Sequence, residues 1–117
     1  MAKQRYVNTK LWSDSWIRSV NPLDRYLFLY FLTNEKTNLC GIYELPLDII
    51  SSETGIKEND LKSSFFPRLK PKVFFYKDYI ILPNSPKHQT LTNPKITLAI
   101  QRELDKLPKE IYEKAIG

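Results

Sequence analysis

The chain has 117 residues, of which 42% are hydrophobic, 13% aromatic and 26% charged, the make-up of one folded domain that can bury a core without disulfides or metal. Its 18 basic and 13 acidic residues leave a net charge of +5. A single cysteine excludes an internal disulfide, the polar and basic first residues do not read as a secretory signal, and no apolar run is long enough to span a bilayer, so a cytoplasmic setting without a membrane partner is expected.

The charge is unevenly placed. Residues 1–10 carry +3 through Lys3, Arg5 and Lys10, and residues 11–56 carry −3. Residues 57–77 carry +4, and the remainder carries +1. Clustered positive charge is the footprint expected for a polyanion partner, although a solvated basic surface has the same composition.

In chain order, residues 3–12 read as extended, with Tyr6, Val7, Leu11 and Trp12 as anchors. Ser13 suits the cap of a short helix over 14–19 that turns Trp16 and Ile17 inward. Asn21-Pro22-Leu23-Asp24 is a cap-plus-proline helix start, and Leu23, Leu27 and Phe31 line one face of the helix that ends near Asn34. Residues 39–45 read as a short strand. Pro46 opens a helix with Leu47 and Ile50 inward, and Gly55 supplies the positive φ that ends it. A second helix begins near Glu58, with Leu61, Phe65 and Leu69 as its buried stripe. Pro67 should kink or end that helix, because its ring clashes with the carbonyl of Ser63.

Residues 73–82 read as a hairpin turning at Lys77-Asp78, with the 39–45 strand as its third partner. Asn93-Pro94 starts an amphipathic helix carrying Ile96, Ile100 and Leu104. Leu107-Pro108 breaks it before a last short helix with Ile111 and Ala115 on one side. The fold expected is mainly α with a small antiparallel sheet. It is a winged helix-turn-helix over residues 3–92 with a C-terminal helical extension over 93–117, the start of a linker to a further domain.

Catalysis has little to work with. His88 and Cys40 have no partner at dyad spacing, no Cys/His pattern resembles a metal site, and three glycines make no phosphate loop, so no cofactor, metal or enzymatic activity is expected. Cys40 reads as a small buried hydrophobe. DNA binding is the positive signal. Opposite the stripe of the second helix lie Asn59, Ser63 and Lys70, with Lys57 and Lys62 beside them. Asn and Ser can read base edges, and Lys can meet guanine or phosphate. Arg68, Lys70 and Lys72 would meet phosphate near the wing, Lys77 sits at its tip, and Lys3, Arg5 and Lys10 reach a further phosphate run. Phe66, about 100° from the stripe, is either a surface anchor for another protein or packs under the wing.

The runs Arg5-Tyr-Val-Asn-Thr-Lys-Leu-Trp-Ser-Asp-Ser-Trp-Ile17 and Asn21-Pro-Leu-Asp-Arg-Tyr-Leu-Phe-Leu-Tyr-Phe-Leu-Thr-Asn34, with Gly41-Ile-Tyr-Glu-Leu-Pro46, Thr54-Gly-Ile56, Pro86-Lys-His-Gln89 and Asn93-Pro-Lys95, carry a resemblance. Over nearly the whole chain they resemble the N-terminal domain of phage and prophage replication initiation proteins of Gram-positive bacteria, which are similar to DnaD and to replisome organisers. The resemblance implies a winged helix that binds origin DNA or self-associates. It also implies contact with the host helicase-loading machinery through a region absent from this chain. A transcription regulator of the same fold is the other reading.

Overall fold

The computed structural model describes residues 7–83 and 94–116. Its first element is a 3-10 turn, Thr9–Ser13, capped by the Asn8 side chain on the Lys10 N–H; this segment was expected to be extended. Helix α1, Ser15–Ser19, is capped by Asp14 and not by Ser13, its carboxylate accepting from the N–H groups of Trp16 and Ile17. Helix α2, Pro22–Thr33, starts as expected, with the Asn21 side chain accepting from Asp24 N–H at 2.9 Å. Its buried positions are Asp24, Leu27, Phe28, Phe31 and Leu32, the i, i+3, i+4, i+7, i+8 pattern of a core-facing helix. Leu23 is therefore turned out and 54% exposed, because the stripe begins at Asp24, a charged residue in a core position.

The far end of α2 is tied to the strand that follows. Asn34 Nδ2 donates to Tyr30 O and to the Tyr43 hydroxyl, which in turn donates to Phe31 O at 2.6 Å. Strand β1 is Ile42–Glu44 and helix α3 is Leu47–Thr54. Gly55 ends α3 at φ 78°, and its N–H donates to Ser51 O. An L side chain there would be strained.

Helix α4 spans residues 58–69 without a break. Glu58–Asp60 is α-helical, Leu61–Phe65 is a π-helical turn and Phe66–Leu69 is α-helical again. Pro67 thus neither ends the helix nor stands at its limit. The π turn, closed by Phe66 N–H on Leu61 O, loosens the ladder just where the proline lacks a donor. One extra residue in a turn also sets the later residues back by about 100°. Leu61, Phe65, Phe66 and Leu69 consequently share one face, and all four are buried. The surface-anchor reading of Phe66 is corrected by this shift. Its ring stacks on Phe75 at 4.9 Å and on Phe31 at 6.0 Å, beneath the hairpin.

Strands β2, Phe74–Tyr76, and β3, Tyr79–Ile81, form the expected hairpin, and its turn has Lys77 at φ 47° and Asp78 at φ 65°. The antiparallel sheet has the order β1-β3-β2. Tyr43, Ile80 and Phe75 lie in register and pack toward α2, α3 and α4. Ile42, Ile81 and Phe74 face the other way. That second face is covered by α5, Pro94–Asp105, and α6, Lys109–Ile116, through Ile100, Leu104, Ile111 and Ala115. Glu103 of α5 also accepts from Cys40 N–H at 2.7 Å. The C-terminal helices are thus a third layer, and the small sheet is buried on both sides.

Because Phe66 joins α2, α4 and β2, Phe66→Ala should cost about 3–5 kcal/mol of unfolding free energy in urea titration. An exposed Leu23→Ala control should stay within about 0.5 kcal/mol.

Candidate nucleic-acid interface

The outward side of α4 gathers five of the residues expected there. Lys57, Asn59, Lys62, Ser63 and Lys70 are all exposed, and Lys72 is half-buried. Among the described residues no ion pair engages Lys57, Lys62, Lys70 or Lys72. Ser63 keeps its hydroxyl on its own helix, donating to Asn59 O at 2.8 Å, so its base-reading donor is already in use. Glu58 and Asp60 are exposed on the first turn, where they suit the helix dipole and temper the positive field. Lys10 is exposed in the 3-10 turn, while Lys3 and Arg5 lie outside the described residues.

Two expected phosphate contacts are held inside the molecule. Arg68 Nε and Nη2 donate to both carboxylate oxygens of Asp24 at 3.2 and 3.0 Å, and the guanidinium sits 4.6 Å over the Phe65 ring. The Asp24 side chain is 3% exposed, so Arg68 is the partner that makes its burial tolerable. The phase shift after the π turn puts Arg68 on the flank facing α2. Arg68 is therefore a structural residue, a correction to its expected phosphate role. Lys77 does stand at the hairpin tip and is exposed, but its ammonium pairs with Glu110 of α6 and lies near the Tyr76 ring. Tyr76 hydroxyl donates to the same carboxylate at 2.9 Å. The Lys77 and Tyr76 donors hold the Glu110 carboxyl below the usual glutamate range.

Asp24 and Glu110 were missed as organising residues because their partners lie far off in sequence. Asp24 read as a helix-start charge and Glu110 as one of several scattered acids. Trp12 is 56% exposed, contrary to the anchor expected of it, because the 3-10 turn points it to solvent while Trp16 packs edge-on against Phe28 at 5.2 Å. Cys40 is buried, and burial pushes its thiol up to about 11, which leaves it a protonated hydrophobe. His88 lies outside the described residues. Among the described residues no three His, Cys, Asp or Glu side chains are grouped to hold a metal ion, and no helix is long and apolar enough to cross a membrane.

In comparisons with known proteins, no family model, no curated protein and no solved structure matches the chain.

Arg68→Ala should lower stability by about 2–4 kcal/mol, since it leaves the Asp24 carboxylate buried alone. Lys62→Ala should shift stability by less than about 0.5 kcal/mol in the same denaturant series. For Glu110, a folded pKa below the unfolded one means that its stabilising contribution is present above the unfolded value and is lost as pH falls through the folded value. Carboxyl NMR titration should place its midpoint below that of an exposed glutamate, and Lys77→Ala should raise it.

Proposed function

We propose that the chain is a winged helix-turn-helix domain that binds duplex DNA without catalysing a reaction, of the kind that serves phage and prophage replication initiation. The element order, with α3 and α4 joined at Gly55 and a hairpin after α4, is the arrangement such a domain needs. The observation that carries the reading is the outward face of α4, where Lys57, Lys62 and Lys70 flank Asn59 with no internal ion pair among the described residues. Binding is dominated by phosphate. With Ser63 self-bonded, Asn59 is the one neutral base-reading side chain left from the expected set, so specificity is modest. The sequence resemblance supports the replication role over transcriptional regulation.

Self-association is the second reading. Phe66 no longer supports it, but Trp12 and Leu23 are large apolar side chains more than half exposed. Light scattering on the wild type and on Trp12→Ala tests it, because a mass independent of concentration in both removes it.

If about four phosphates are engaged, log affinity should fall against log salt with a slope near −4, as read by fluorescence anisotropy on origin-region and random duplexes. Lys62→Glu with Lys70→Glu should weaken binding at least about tenfold and flatten the slope by roughly two. An affinity indifferent to salt and to both reversals would defeat the proposal.

A further inference from the structure

Strand β2 is one outer strand of the sheet, and among the described residues no strand pairs with its free side. The hydrogen-bond parity follows from the neighbouring ladder. Leu45 N–H donates to Asp78 O at 2.7 Å and Leu82 N–H donates to Gly41 O at 2.8 Å, so the bonded pairs between β1 and β3 are 41/82, 43/80 and 45/78. Ile80 therefore spends its backbone groups on β1 and has none for Phe75, its register partner on β2. In the hairpin the bonded pairs are then Phe74/Ile81 and Tyr76/Tyr79, as a two-residue turn requires. The N–H and C=O of Phe75 both point away from the sheet, and among the described residues they have no hydrogen-bond partner.

A cleft of about 500 Å³ lies against this edge. Three consecutive β2 residues, Phe74, Phe75 and Tyr76, line it together with Lys70, Lys114 and Ile81. Phe74, Tyr76 and Ile81 belong to the sheet face under α6, whose Ala115 also lines the cleft, and Phe75 joins them from the other face, so the cleft opens from that layer onto the β2 side. Its described lining has two lysines and no carboxylate. Lys70 and Lys114 are exposed, and Lys114 also lies 5.1 Å from the Tyr76 ring.

We propose that this cleft binds an acidic, extended peptide segment of a partner protein, added as a fourth strand to the edge of β2. An unpaired N–H and C=O on one residue ask for a ligand that offers the complementary pair, which a peptide backbone does. The lysines at the rim select carboxylates, and the half-buried rings of Phe74 and Tyr76 take the peptide's alternate side chains. Nucleic acid satisfies the lysines but not the backbone pair. The site is separate from the outward face of α4, with Lys70 the one residue they share, so Lys114 distinguishes the two.

The test uses the full chain, labelled with nitrogen-15, and an acetylated hexapeptide alternating aspartate and valine. Binding should shift the Phe75 amide and slow its hydrogen exchange. Lys114→Glu should weaken the peptide at least about tenfold and leave duplex DNA affinity unchanged. Two further peptides carry N-methyl groups on the odd or on the even residues. Only one set of N–H groups can face β2, so one peptide should bind and the other should fail. Equal behaviour of the two overturns the proposal, as does displacement of the parent peptide by a short oligothymidylate at the same amides. Protection of the Phe75 amide that rises with protein concentration alone also overturns it, by giving the edge to a second copy of the chain.

Discussion

Three aromatic rings, Phe31, Phe66 and Phe75, set the relation between the central helix, the candidate recognition helix and the hairpin. They stack in sequence at 6.0 and 4.9 Å, one ring from each of α2, α4 and β2. Such pairs contribute about 0.5–1.5 kcal/mol each beyond the area they bury, and they fix tilt as well as contact. The outward face of α4 points to solvent as a unit because its inward face is held by Phe66 as well as by the usual stripe. The π turn is the local price of that arrangement. It gives up regular α-helical hydrogen bonding over five residues and in return brings Phe66 into the stack.

The basic residues that looked alike in the sequence divide into two groups. Arg68 and Lys77 are matched to single acids, and among the described residues the lysines along α4 are not. The two matched pairs differ in kind. Asp24 is withdrawn from water, so its pairing with Arg68 governs whether the helices pack at all. Lys77 and Glu110 are both more than half exposed, so their pairing orients the hairpin tip against α6 and contributes little to stability. If the tip is to approach a phosphate backbone, Glu110 competes for the same ammonium. The hairpin is thus a weaker contributor of positive charge than its sequence implies.

Local chemistry was legible in the sequence wherever it was carried by neighbours. Asn21 with Pro22, Gly55, the stripe of Leu61, Phe65 and Leu69, the Lys77-Asp78 turn and the break at Leu107-Pro108 all act within a few residues, and each lies where its chemistry puts it. The readings that changed depended on partners far along the chain or on a departure from the 3.6-residue period. Asp24 finds Arg68 across 44 residues, and Glu110 finds Lys77 across 33, with nothing local to announce either pair. Phe66 read either as a surface anchor or as packing under the wing, and the departure from an uninterrupted helix is what gives it the second place. Pro67 was the available hint that the period would not hold. Of the candidate site, the exposed cluster from Lys57 to Lys70 was legible. The withdrawal of Arg68 was not, and neither was the covering of the sheet's second face by α5 and α6.

The same lag in α4 bears on Lys62 and Lys70. Eight residues apart, they would diverge by about 80° around a continuous α-helix. Set back by the π turn, they fall within about 20° of one line, separated along the axis by about 12 Å. Two ammonium groups in single file form a rail and not a fork. A rail follows one polynucleotide strand along its length, whereas a fork straddles a groove and touches both. If this face meets DNA as proposed, the helix would track a single backbone, in the direction of its own axis.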